Sequence, residues 1–356
     1  MMSQAFHGNN DWGPVGGRLV CGTTINSTTR IMYADQFGFY ATSSLTFTTS
    51  TTPVNRQSYQ MAWSPNLNRL CAANVTTGTS SIIYSNNAGL TWQFANLPNN
   101  SQCHSVKWIQ ELGVFYAGIN NGSSASIVRS TDGINWSHTN LKPTTSSGDF
   151  IWDIEFSPTL NILTAVINRG GTASHVWSSD RGLTWEQGVV DITLSPGGPR
   201  TLKWIGKYGK FFSIGDTNTP SGNNWFCTST DGKNWTKNIF DNYTNVGGGV
   251  INFTIDFLPN YNRIVVGKFT GANTNRPFVI SDNGGANWYE VVESSSAKWN
   301  YDSWYNPDSE LLYIVQSSGN IVRVSRDGIN WWNISMPSSS TSVCWIPNPN
   351  PIGRIP

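Results

Sequence analysis

The sequence predicts an all-β chain folded as a seven-bladed β-propeller of four-stranded blades. Three observations carry this: a Trp-ended turn motif recurring at blade spacing, an apolar run ending in an aromatic that recurs seven times, and no helical period longer than about ten residues. The turn motif is the clearest. SNNAGLTW, STDGINW, SSDRGLTW, STDGKNW, SDNGGANW and SRDGINW end in Trp92, Trp136, Trp185, Trp235, Trp288 and Trp331, spaced by 44, 49, 50, 53 and 43 residues. A period near fifty is too long for most helical solenoids and suits one propeller blade.

Each unit begins with an apolar strand: YQMAW, HSVKW, IWDIEF, RTLKW, NFTIDF, NYDSW and TSVCW, anchored on Trp63, Trp108, Phe156, Trp204, Phe257, Trp304 and Trp345. A second strand follows a turn (NRLCAANV, GVFYAGI, NILTAVI, KFFSIG, NRIVVGKF, ELLYIVQ), and a third (SIIYS, SIVRS, HVWSS, WFCTS, FVISD, IVRVS) runs into the Trp-ended turn. A fourth strand follows that turn. β-Branched and aromatic residues fill these runs, and turn residues separate them. The N-terminal segment opens on a second strand, GGRLVCGTT, while the last inner strand, TSVCW, has nothing after it. The two ends therefore complete one blade together, and closure removes free sheet edges. The expected organisation is an arm over 1–17, the propeller over 18–347 and a Pro/Asn-rich tail over 348–356. The turn of the first unit is degenerate, with Tyr33-Ala-Asp35-Gln-Phe-Gly38-Phe-Tyr40 in place of a Trp-ended motif.

Composition narrows the function classes. Charged residues make up 12% of the chain, and 22 basic residues against 21 acidic leave a net charge of +1. That balance argues against nucleic acid as a partner, and no apolar stretch approaches the roughly 20 residues needed to insert in a bilayer. The start of the sequence has no basic n-region or apolar h-region, so no secretory signal is expected. Cys21, Cys71, Cys103, Cys227 and Cys344 lie apart, mostly in strand-like runs, and read as buried free thiols. No Cys/His spacing suits zinc, so neither a metal nor a cofactor is expected.

The repeated turn, S-x-D-x-G-x-T-W, resembles the Asp-box, or BNR repeat, best known from sialidases and shared by many other propellers. Ser178-Asp180-Gly182-Thr184-Trp185 matches fully; Asn87 and Asn283 replace the Asp in two copies, and Asp132, Asp231 and Asp327 sit in copies one residue shorter. The resemblance implies outer-rim turns remote from any active centre, with these acidic or amide residues and their Trp partners holding blades together. Sialidases use six blades and place Arg-Ile-Pro before the first box. Here seven units are counted, and Arg354-Ile355-Pro356 follows the last box.

Asp153, Glu155, Asp256 and Asp302 lie near inner strands and are the carboxylates available for glycosidase chemistry, which needs two about 5 to 10 Å apart. The position before each anchor reads Ala62, Lys107, Glu155, Lys203, Asp256, Ser303, Cys344, so charges alternate over four successive blades. An ion-pair network of Lys107, Glu155, Lys203 and Asp256 is expected there, structural rather than catalytic. Binding is expected on long polar loops at the face where inner strands begin. Trp152, Trp299 and Trp225, with Arg169, Arg200 and Arg276, are the candidate ligand-binding residues, since aromatic faces with guanidinium and amide donors suit sugars.

The low charge and the Asn/Ser/Thr richness also resemble propellers of phage tail fibres and virion surfaces, which leave the cell without a signal peptide. The expected function is a non-enzymatic surface-recognition propeller binding a cell-surface glycan or receptor. Its N-terminal arm would dock to other virion or tail proteins. A glycoside hydrolase of sialidase-like ancestry and a protein-binding scaffold are the alternatives.

Overall fold

In the computed structural model the chain forms a ring of seven antiparallel blades. The structure describes residues 17–25, 28–36, 46–53, 58–75, 80–99, 101–169, 172–190, 198–217, 225–240, 250–269, 276–292, 300–316 and 320–347. The N-terminal arm up to residue 16, the C-terminal tail, the second half of the degenerate first turn and several of the polar loops lie outside these residues. The innermost strands are Ser58–Ser64, Gln102–Ile109, Phe150–Ser157, Pro199–Ile205, Val250–Leu258, Asn300–Asn306 and Ser339–Pro347. The last of them pairs with Gly17–Ile25, so C-terminal and N-terminal strands share one blade and close the ring. Among the described residues the only helix is the short 3-10 turn Pro259–Tyr261.

Each blade is apolar on both faces, because each packs against two neighbours. The buried side chains accordingly divide into seven apolar clusters, one at each junction between adjacent blades. All five cysteines are buried and unbridged.

The Trp-ended turns join third to fourth strands, and their geometry repeats in all six copies. The Ser hydroxyl receives the backbone N–H of the Gly, as at Gly133 (2.8 Å) and Gly182 (2.9 Å). The indole N–H of the closing Trp donates to the carbonyl of that Gly at 3.1–3.3 Å. In the short copies one residue, Gly133 for instance, takes a positive φ of 71°. The longer copies need two, Arg181 (61°) and Gly182 (72°) in the third blade. At Gly182 a Cβ would lie 2.5 Å from the Tyr116 ring of the preceding blade, so the position excludes a side chain on two counts. Tyr116 also donates its hydroxyl to the Arg181 carbonyl (2.7 Å), and Arg69 donates to the Asp132 carbonyl, so each of these turns ties its blade to the one before.

The acidic residue of the turn is held by donors. Asp132 accepts the N–H groups of Ile134 and Asn135 (both 2.8 Å), and Asp180 accepts the Thr184 N–H (2.9 Å) and hydroxyl (2.6 Å). Burial opposes ionisation at Asp132, Asp180 and Asp231, but these hydrogen bonds outweigh it and bring each carboxyl down to about 2. A carboxylate depressed in the folded state stabilises fully above the unfolded value near 4 and loses that contribution as pH falls toward about 2. Melting temperature is therefore expected to fall over that window, and less steeply in Asp180→Asn. The Asn residues already present at 87 and 283 show that the turn accepts an amide.

Candidate functional site

The site is made by one backbone irregularity repeated around the ring. Every innermost strand slips register against its neighbour near its start, and in six blades the shift falls between Ser58/Gln60, Cys103/Ser105, Ile151/Asp153, Pro199/Thr201, Asn252/Thr254 and Asn300/Asp302. In the seventh, Gly22 and Thr23 face Ser342 and Ser340, which skips Thr341. The extra residues are Tyr59, His104, Trp152, Arg200, Phe253, Tyr301 and Thr341. A bulged residue leaves the ladder and its side chain is re-aimed. Tyr59, His104, Trp152, Arg200 and Tyr301 line a cavity of about 280 Å³ at the end of the channel where the inner strands begin.

At Gln60, Asp153 and Asp302 the residue after the bulge ties its blade to the next. The Gln60 side-chain oxygen accepts the Val106 N–H (3.1 Å), Asp153 accepts that of Leu202 (2.9 Å), and Asp302 accepts that of Val343 (3.0 Å). The Val106, Leu202 and Val343 amides of these inner edge strands are thereby satisfied without a further strand.

Register also corrects the sixth anchor. Asn306 pairs with Leu311 as Ser64 pairs with Arg69, which puts Tyr305, not Trp304, at the anchor position. Trp304 therefore takes the channel-level position expected for Ser303. It lies beside Cys344, the small residue at this level of the seventh blade, and packs against the clusters on both sides of that blade.

Below the bulges a band of charge crosses the channel. Lys107 Nζ lies 3.3 Å from Asp153 and 3.4 Å from Glu155, and Lys203 Nζ lies 2.7 Å from Asp256. Burial works against the charge on both lysines. The carboxylates more than offset it, Asp153 then Glu155 at Lys107 and Asp256 then Glu155 at Lys203, so both lie above the ordinary lysine value. Asp153 is a central acceptor of this band, a role the alternation of charge along the sequence assigned to Glu155. A second cavity of about 230 Å³, walled by Trp63, Trp108, Trp304 and Tyr305, lies beyond the band.

The upper cavity has an unusual set of polar groups. The His104 ring is boxed by Phe150 (4.3 Å between centroids), Trp152 (4.8 Å) and Tyr59 (5.1 Å), and neither ring nitrogen has a hydrogen-bond partner among the described residues. Burial, with the Arg200 charge adding to it, lowers His104 to about 4, so the imidazole is neutral near pH 7. The Arg200 guanidinium stacks over the Trp152 ring at 4.4 Å. Burial raises both phenols, Tyr301 to about 12, so they stay protonated. Burial also holds Asp302 well above the usual carboxylate range, the Asp153 charge adding to the effect while the Val343 and Ser303 amides and Lys107 oppose it.

Of the six ligand-binding residues expected from sequence, Trp152 and Arg200 meet here. Trp225 is instead buried in the core between the third and fourth blades, against Leu202, Phe211 and Trp235. Arg276 pairs with Glu290, which also holds the buried Lys268 at 2.7 Å, within the fifth blade. Arg169 ends the strand Ile162–Arg169, and Trp299 lies outside the described residues. Sequence reasoning missed Tyr59, His104 and Tyr301. The signal that finds them is position: each stands four residues before the anchor, once the sixth anchor is Tyr305. No group of three or more His, Cys, Asp or Glu suited to a metal occurs among the described residues.

Fold and cavity together define a seven-bladed propeller with a charge-floored, aromatic-walled pocket at one mouth of its channel. Among solved structures the chain is similar to the periplasmic gluconolactonase PpgL of Pseudomonas aeruginosa, at 10% identity and a TM-score of 0.61, over 93% of this chain and 99% of that one. It is similar to a proposed 6-phosphogluconolactonase of Bacteroides uniformis (12%, TM-score 0.65, 93% and 100%) and to the GH74 xyloglucanase of Xanthomonas campestris (14%, TM-score 0.62, 91% and 55%). No protein-family model and no curated protein matches the sequence. At this identity the likeness defines the fold. It overturns the expectation of a non-enzymatic glycan- or receptor-reading propeller on a virion or tail fibre, because these neighbours are named as enzymes, lactonases prominent among them.

Proposed function

We propose that the chain is a hydrolase that opens a small polyhydroxylated cyclic ester, a sugar-acid lactone, in the upper cavity. The observation that carries this reading is the convergence of Arg200, neutral His104, two protonated tyrosines and Asp302, which no ammonium group contacts, in one pocket. The lactonase names of the similar propellers supply the substrate class. A cavity of about 280 Å³ suits a single sugar ring rather than a chain.

The chemistry follows from the charges. When water adds to the ester carbonyl, negative charge grows on the carbonyl oxygen, and Arg200 provides a fixed positive group to meet it. Its cation–π contact with the Trp152 ring holds the guanidinium in place before substrate arrives. His104, Tyr59 and Tyr301 supply neutral donors and acceptors for ring hydroxyls. The ring C–O bond then breaks, and its oxygen leaves as the hydroxyl of an open-chain hydroxy acid. The Trp-ended turns lie outside this chemistry, and we read them as an Asp-box scaffold.

Initial rates of glucono-1,5-lactone opening, followed by pH-stat and corrected for spontaneous hydrolysis, test the proposal. Saturable acceleration by the purified protein is expected. A rate equal to the spontaneous one at all protein concentrations contradicts it.

A further inference from the structure

We infer that Asp302 takes the proton from the attacking water and is the general base of this hydrolysis, an inference that rests on the reading above. Among the described residues four carboxylates line the two channel cavities, and geometry sets one apart. Asp153 is saturated by Lys107 (3.3 Å), the Ile154 and Leu202 amides (both 2.9 Å) and Thr201 (3.3 Å). Asp256 is held by Lys203 (2.7 Å) on one oxygen and by the Ser303 hydroxyl on the other. Glu155 pairs with Lys107 and lines the lower cavity, not the upper. Asp302 lines both cavities. Among the described residues its oxygens receive only the Ser303 and Val343 N–H groups, both at 3.0 Å, and no ammonium group.

A carboxylate in that position keeps a lone pair for water. Burial without a paired cation raises its proton affinity, the condition in which a carboxyl works best as a base near neutral pH. The charged groups that act on it are Lys107 from the second blade, which favours its ionisation, and Asp153 from the third, which opposes it. The neighbouring thiols of Cys344 and Cys21 are pushed far up by burial and stay neutral.

The step balances on this one group. Water forms a bond to the carbonyl carbon through its oxygen and gives a proton to Asp302, while the C=O electron pair moves onto the oxygen facing Arg200. That pair returns, the ring C–O bond breaks, and its oxygen takes the proton back from Asp302. The carboxylate is regenerated, and lactone plus water has become one hydroxy acid.

The test uses the full-length protein and glucono-1,5-lactone. Asp302→Asn is expected to lower kcat by about 100-fold or more with KM within about twofold. The acidic limb of the wild-type kcat/KM profile is expected at a pH well above the ordinary carboxylate value near 4, with activity rising as pH increases through it. That limb should vanish in Asp302→Asn, and added formate should restore Asp302→Ala without accelerating the wild type. An active wild type with Asp302→Asn within about threefold of it, or with the same acidic limb in both, overturns the inference and leaves the hydrolase reading standing. A wild type that opens no lactone overturns both. If the variants prove unstable, the wild-type profile decides alone: an acidic limb at or below about 4 contradicts the assignment.

Discussion

Arg200→Ala is expected to lower kcat/KM for lactone opening by about 10²- to 10³-fold, the range seen when a preorganised donor to a developing oxyanion is removed. Most of the loss should fall on kcat, because the carbonyl oxygen is only weakly charged before water adds and strongly charged afterwards. Lys107 and Lys203 cannot substitute, since each is already neutralised by a carboxylate at 2.7–3.4 Å. Arg200→Lys should recover little, because an ammonium group does not present a planar fork of donors. Steady-state kinetics of the three proteins checks this, with near-UV circular dichroism confirming the fold. Wild-type kcat in Arg200→Ala would remove Arg200 from the chemistry.

Trp185→Ala is expected to cost about 3–5 kcal/mol of stability, the range for emptying a large aromatic site in a core. The Trp185 indole is fully buried at the junction of the second and third blades among Tyr116, Ile127, Leu163 and Val176. Its N–H is committed to the Gly182 carbonyl at 3.1 Å. Truncation leaves a void between two blades and an unpaired carbonyl in the turn that joins them. Trp331 has the same hydrogen bond but is only partly buried, stacked on Phe278 at 4.0 Å, so Trp331→Ala should cost less. Chemical denaturation of both variants gives the comparison, and equal losses would show that the hydrogen bond rather than the packing sets the cost.

The architecture was legible because its physical requirements recur. A Ser hydroxyl, a carboxylate or amide, a Gly at positive φ and an indole are all needed at fixed spacing to make one turn, so the turn shows itself six times. The split blade was equally readable, since an orphan second strand at one end and an orphan inner strand at the other have only each other to pair with. The pocket was not. Tyr59, His104, Trp152, Arg200 and Tyr301 share a backbone irregularity and no chemistry, and they come from five separate strands. Trp152 and Arg200 were selected by residue type and by the face their strand entries were expected to share, and the same criteria also selected Trp225, which lies in the core, and the ion-paired Arg276. At Trp304-Tyr305 two adjacent aromatics made the anchor ambiguous, and only pairing with Leu311 and Leu312 fixes it. Surface composition pointed outward, to glycans and virions, whereas the concentrated polar chemistry faces inward along the channel.

The most direct test of the account is a crystal structure of the protein grown with the gluconate product. Gluconate is expected in the upper cavity, its carboxylate within hydrogen-bond distance of the Arg200 guanidinium and its carboxyl carbon facing Asp302. An upper cavity left unoccupied at saturating gluconate, or gluconate bound only on the outer rim of the blades, would contradict it.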